Sequence, residues 1–297
     1  MSAPTRVTRL GFLEVRTPDV ARHVSYCTDE LGLAVVEGDG RDAYLTTGPD
    51  HHCLHVVEGD AHGRARVGLQ IAGSLDEAQR ALTERGVEAE RRSDPQAGVA
   101  DALVVAEPGT DAEVVLYREM ATSGVAVSAG TRPTKLGHVA CYAPDVAGLQ
   151  RFYQECLGFR WSDTIGDFFV FLRCGPDHHT INIMESQSRT GLHHMAYEAR
   201  DIVHLRDMLD HLARHGRRLV WGPGRHGPGH NVFSYHRDPD GNLVELFTEL
   251  DLMLDEESGH WEPRPWHEEF PMGPKVWALA PEVPNAWGPI NPELLEH

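Results

Sequence analysis

No basic run interrupts this sequence: 27 lysines and arginines stand against 45 aspartates and glutamates, for a formal net charge of −18. That balance argues against a nucleic-acid partner or an anionic membrane surface. No stretch approaches the roughly 20 apolar residues that a bilayer-crossing helix needs. The opening MSAPTRVTRLGF has no apolar signal core. Cysteine is scarce and scattered (Cys27, Cys53, Cys141, Cys156, Cys174), with no CxxC pair. An odd, dispersed set points to reduced thiols in a cytoplasmic protein, not to a disulfide framework. P-loop, GxSxG and dinucleotide fingerprints are missing, and HEE at His267 lacks the second histidine of a zincin helix. What is present is an acidic chain of 297 residues with a 41% apolar share, enough for one large or two ordinary cores.

The sequence repeats itself. LGFLEVRTPDVARHV from Leu10 matches LGHVACYAPDVAGLQ from Leu136, an offset of 126 (136 − 10). AEVVLYREM from Ala112 matches NLVELFTEL from Asn242, an offset of 130 (242 − 112). A weaker repeat lies inside each half: His138, Asp145, Val146 and Leu149 map onto His194, Asp201, Ile202 and Leu205, 56 positions on (194 − 138). The chain therefore reads as four copies of one unit, each a strand, a helix and several strands. HVACYA alternates at the period of a half-buried strand. Pro144 fits a first helical position, and Val146, Leu149, Phe152, Tyr153 and Cys156 follow at helical spacing. Ser74 with Glu77 forms a capping box, and Gly86 and Gly216 mark helix ends. The predicted fold is α+β. Two domains, each of two paired βαβββ modules, form curved sheet funnels at 1–122 and 134–250. A small-residue linker (123–133) joins them, and an irregular Trp/Pro-rich tail (251–297) either packs on domain two or covers a site as a lid.

His138, His194 and Glu245 stand on three different predicted strands. Glu245 lies between Val244 and Leu246 in an otherwise apolar run, where a lone carboxylate is costly. Two imidazoles and one carboxylate are the ligand set of mononuclear non-haem Fe(II) sites, which keep open positions for substrate and dioxygen. The first half puts Phe12, Val67 and Val115 at the matching positions. It has lost the site, so His51 and His52 there read as structural. In the HH pairs at His178–His179 and His193–His194, strand alternation lets one ring of each pair point inward.

These residues, with GPGRHGPGHNVFSYHRDPDGNLVEL from Gly222 to Leu246, resemble the vicinal oxygen chelate superfamily. Within it they are similar to the two-domain type I extradiol ring-cleavage dioxygenases that act on catechol, dihydroxybiphenyl and homoprotocatechuate. The resemblance covers nearly the whole chain to about residue 250. It implies extradiol cleavage of a catechol by O2, giving a muconic semialdehyde-type product. It implies metal ligands His138, His194 and Glu245, with Fe(II) the expected metal and Mn(II) compatible with the same ligands. It also implies His179, fifteen residues before His194 (194 − 179), as acid and base, and Tyr235 and His226 as further catalytic groups. Trp221, Arg225 and His230 are the candidate substrate contacts. Two positions depart from the homoprotocatechuate pattern: Ala140 replaces an asparagine two residues past the first ligand, and Trp221 replaces a carboxylate-binding arginine. The loss of that guanidinium argues for an apolar or aromatic substrate tail. Such enzymes usually form homo-oligomers, and the expected partner is a small catechol alone. The rival readings are an isomerase, epimerase or lyase of the same superfamily that uses no O2, and a non-catalytic protein that sequesters an aromatic ligand.

Overall fold

The computed structural model describes residues 3–59, 63–127 and 130–291. In the first half β1 (Val7–Thr17), α1 (Val20–Ser25), β2 (Ala34–Gly38), β3 (Asp42–Thr46) and β4 (Leu54–Glu58) form one module. β5 (Gly63–Ile71), α2 (Leu75–Thr83), β6 (Glu90–Gln96), β7 (Val99–Ala106) and β8 (Glu113–Tyr117) form the next. The second half repeats this with β9 (Lys135–Ala143), α3 (Val146–Arg151), β10 (Arg160–Ile165), β11 (Phe169–Arg173) and β12 (Ile181–Glu185). β13 (Gly191–Glu198), α4 (Ile202–Arg214), β14 (Leu219–Arg225), β15 (Val232–Arg237) and β16 (Leu243–Thr248) complete it. Each half is thus two βαβββ modules, and each sheet curls into a half-barrel, as the repeat predicts.

In both sheets the first strands of the two modules lie side by side and antiparallel, β1 with β5 and β9 with β13. Each also pairs parallel with the last strand of its own module, so four strands meet at the centre: β4-β1-β5-β8 and β12-β9-β13-β16. A site built on these central strands sits on the pseudo-twofold, flanked by the most buried backbone.

Local chemistry explains the helix ends. The Asp145 carboxylate accepts from Gly148 N at 2.8 Å, Asp201 accepts from His204 N at 2.7 Å, and Ser74 and Glu77 cap each other reciprocally. Asp145 is the cap of α3, so Pro144 precedes the cap instead of opening the helix. The helix expected over Asp145 to Leu157 is two turns of α-helix followed by a π-type turn over Phe152–Cys156.

Among the described residues of the first half, apolar side chains stand where the second half has its donors. Phe12 lies over Gly68, where a Cβ would come within 2.0 Å of Phe12 Cε1, and it stacks with Tyr117 at 6.0 Å. Phe12, Val104, Val115 and Tyr117 plug that funnel with apolar volume. The halves are joined by buried polar contacts: Arg64 pairs with Glu107, which also accepts from Tyr153, and Tyr26 Oη lies 2.7 Å from His236 Nε2. Burial holds the His236 imidazole at about 3, so it stays neutral.

The tail shows no strand period in sequence, yet it supplies one. β17 (Lys275–Trp277) pairs parallel to β10 at the edge of the second sheet. Tertiary pairing to an open edge overrides local pattern here. Among the described residues no helix is long and apolar enough to cross a membrane.

Candidate metal centre

Strand register builds the site. Ala196 on β13 is paired across the ladders with His138 on β9 and with Glu245 on β16. Directly paired residues share a face, so His138, Ala196 and Glu245 make one row across three central strands. His194 stands two residues before Ala196 on the same strand. The small alanine leaves a gap over the row, and three side chains converge on it. His138 Nε2 is 3.2 Å from His194 Nε2 and 3.1 Å from Glu245 Oε2; His194 Nε2 is 3.2 Å from the same oxygen. All three residues are buried. With metal bonds of about 2.1 Å, donors at right angles lie about 3 Å apart. The trio therefore fits one face of an octahedron around a single divalent ion, and among the described residues no fourth histidine, cysteine or carboxylate joins the group.

The donors are held from behind. Tyr235 Oη donates to Glu245 Oε2 at 2.7 Å and Asn231 Nδ2 donates to Oε1 at 2.9 Å. His193 Nδ1 lies 2.6 Å from His194 Nδ1, fixing that ring through a shared proton. Burial alone would raise the Glu245 carboxyl, but the His138 and His194 imidazoles outweigh it and hold it well below the usual carboxylate range. Burial pushes His194 down, against the pull of Glu245, and drives His179 well below its ordinary value with help from His138 and His178. An ionised carboxylate beside a neutral imidazole is the ligating form of each.

The face opens into a cavity of about 340 Å³, within the range of small-molecule sites. His179, Tyr235, His226 and Trp221 all line it. His226 Nδ1 donates to the Pro284 carbonyl at 2.6 Å, which leaves Nε2 facing Tyr235 Oη at 3.2 Å. Burial holds His226 at about 4 and, with the Glu245 charge, keeps the Tyr235 phenol well above its ordinary value. Besides Asn182 and His193 the rest of the wall is mostly apolar: Ile165, Phe169, Phe171 and Met184 from the sheet, Phe168 from the turn before β11, and Ala280, Val283, Pro284 and Ile290 from the tail.

Two expected substrate contacts are absent from this wall. Arg225 donates to the His230 carbonyl at 2.6 Å and to Glu249 at 2.7 Å, with its guanidinium over Trp266 and Trp287. His230 Nδ1 lies 2.9 Å from Asp251 Oδ2, which His267 also meets at 2.9 Å. Both side chains pin the loop and the tail behind the cavity. The one-ring-inward expectation also fails at His193–His194: a register shift between Leu192 and His194 lets both rings reach the wall.

Sequence reasoning missed four residues. Asn231 touches the carboxylate, and its only signal was an amide between two motif residues. Ala196 makes the gap and carries no signal without the register. His193 was set aside by alternation. Asn182 sits between Ile181 and Ile183 in a buried strand, paired with Ala140. It lines the cavity with its Oδ1 unpartnered, and that apolar run was a visible cue.

Comparisons with known proteins find similar sequences and folds. Residues 135–246 match the Glyoxalase/Bleomycin resistance protein/Dioxygenase superfamily. The chain is 31% identical over 163 residues to metapyrocatechase 2 of Cupriavidus necator, covering 54% of this chain and 46% of that protein. It therefore spans about half the length of that relative. It is 24% identical over 314 residues to the manganese-dependent 2,3-dihydroxybiphenyl 1,2-dioxygenase of Geobacillus genomosp. 3, covering 96% of this chain and 97% of that one. Among solved structures, the Mn(II)-bound glyoxalase of Novosphingobium aromaticivorans superposes with a TM-score of 0.83 at 26% identity, over 99% of this chain and 95% of that one.

Proposed function

We propose that this chain, whose residues 135–246 match the Glyoxalase/Bleomycin resistance protein/Dioxygenase superfamily, is an extradiol dioxygenase cleaving a catechol with an apolar substituent. Its cofactor is Fe(II), with Mn(II) the alternative, held by His138, His194 and Glu245; O2 is the co-substrate. The observation that carries this is a three-donor face opening on a cavity lined by His179, Tyr235 and His226. An ion held by these three residues would supply Lewis acidity, lowering the pKa of a chelating diol.

The protein groups do the rest. His179, neutral in its buried site, takes a proton from the diol and returns it later. Tyr235, tied to Glu245 and facing His226, orients the bound oxygens. The apolar wall keeps water from the reacting ring. Trp221 spends its Nε1–H on the Pro289 carbonyl at 2.9 Å, so it presents only ring surface to a substituent. Among the described residues no lysine or arginine lines the cavity. A carboxylate-bearing catechol would enter it unpaired, at a cost.

The test is a panel of catechols added anaerobically to Fe(II)-loaded protein, followed by air. Yellow semialdehyde and O2 uptake are expected, with kcat/KM at least about tenfold higher for alkyl or aryl catechols than for carboxylated ones, a difference of ~1.4 kcal/mol. Preference for the carboxylated substrates would refute the apolar-tail reading. A second reading, a metal-dependent glyoxalase-like isomerase, draws on the Novosphingobium structure; turnover without O2 uptake would select it.

The setting is the cytoplasm, supported by five buried free thiols. We also expect a homo-oligomer, because Phe270, Val276, Leu279 and Trp287 leave apolar surface exposed along the tail. Light scattering on the eluting protein should show more than one copy; a monomer at micromolar concentration would remove that expectation.

A further inference from the structure

Asp163 on β10 has no place in the reaction above, yet it is fully buried and receives three N–H groups. His178 Nε2 lies 3.0 Å from Oδ2, Trp277 Nε1 donates to Oδ2 at 2.6 Å, and the Lys275 backbone N–H donates to Oδ1 at 2.9 Å. Lys275 and Trp277 are the two ends of β17, and Trp261 of the tail packs against the His178 ring at 4.7 Å. A carboxylate only accepts hydrogen bonds, so His178 donates to Asp163 from Nε2, and with its one ring proton placed there its Nδ1 is an acceptor. His179 Nδ1 lies 2.9 Å from that acceptor and must donate to it. The His179 proton is thereby used, and its Nε2 is left bare. Among the described residues no hydrogen bond reaches that Nε2, and the ring stands on the cavity wall edge-on to His138 at 4.3 Å.

The first domain carries the same row. Glu37 lies 126 positions before Asp163 (163 − 37), and its Oε1 is 3.3 Å from His51 Nε2. His51 Nδ1 is 3.0 Å from His52 Nδ1, and the side-chain amide nitrogen of Gln96 meets His52 Nε2. That contact places a donor where the second domain has open space. In the first domain the carboxylate side chain is 54% exposed and its strand, β2, is a sheet edge. In the second, β17 covers the equivalent edge and the carboxylate is dry. Hydrogen bonds in a dry site hold orientation more firmly than wet ones.

We propose that Asp163 and His178 are positioning residues that fix His179 as its Nδ1–H tautomer, with the Nε2 lone pair turned to the substrate, and that β17 braces this relay. The role of Nε2 rests on the ring-cleavage reading; the tautomer does not. In the step served, the diol O–H bond breaks and an Nε2–H bond forms on His179. The resulting imidazolium keeps its Nδ1–H bond to His178, two groups from the Asp163 carboxylate. Return of the proton reverses both changes.

The experiment is 15N NMR of histidine-labelled full-length protein, metal-free and loaded with diamagnetic Zn(II), with His179 assigned by its loss in His179→Gln. The wild type should show an unprotonated Nε2 and a protonated Nδ1 on His179. Asp163→Asn can turn an amide N–H toward His178 Nε2 and should invert the pattern. Its kcat should fall about 10- to 100-fold with KM nearly unchanged. His178→Phe keeps a ring against Trp261 and should leave His179 as a mixture of tautomers. A protonated Nε2 in the wild type, or an unaltered tautomer in both variants, overturns the proposal; if neither variant folds, the wild-type spectrum decides alone. An active-site tautomer as described in a protein that cleaves no catechol would sink the dioxygenase reading and leave this one standing.

Discussion

Glu245→Ala is expected to leave a folded protein that retains no catalytic metal and cleaves catechol at least about a thousandfold more slowly than the wild type. A bound divalent ion supplies several kcal/mol of transition-state stabilisation, and each ~1.4 kcal/mol is tenfold in rate. His138 and His194 alone leave two donors on β9 and β13, with nothing from β16 to close the face. Alanine also frees the hydrogen bonds of Tyr235 and Asn231, which now point at a small hole. Some stability loss will follow, so the decisive measurement is bound iron per chain beside a melting curve. Stoichiometric iron in a folded, active Glu245→Ala protein would show that the ligand set is wrong.

For His179→Gln the expected outcome is different in kind. Metal content should hold, because His179 stands edge-on beside His138 and is not one of the three donors. The rate should drop about 10²- to 10⁴-fold, the range for losing a positioned acid–base group, while KM changes little. Glutamine keeps a polar end in the cavity without a titrating nitrogen. Steady-state kinetics with iron analysis separates the two variants: one loses the ion, the other loses turnover with the ion in place. An unimpaired kcat would remove His179 from the proton-transfer role.

Much of this was legible in the sequence because the chain carries its own alignment. The internal offsets put His138 and His194 at equivalent positions, and two equivalent first strands can meet only at the centre of a paired sheet. Glu245 announced itself as a carboxylate inside an apolar strand. What stayed hidden depends on contacts between elements distant in sequence. Ala196 matters only through cross-strand register, and Asp163 only because a tail strand more than a hundred residues later covers it. Arg225 and His230 looked like substrate contacts by proximity to the GRHG loop, but position along a loop does not fix direction. Arg225 is taken up by Glu249 and two tryptophans, His230 by Asp251. The bulge before His194 was likewise invisible to a strict two-residue period.

The wall of the cavity comes from two sources with different obligations. The strands that carry the ligands cannot vary without moving the donors, whereas Ala280, Val283 and Ile290 belong to an irregular strap anchored elsewhere. Selection can therefore retune which ring substituent is welcome by editing the strap, with the chemistry left untouched. A lineage built this way is free to change its ligand one wall residue at a time.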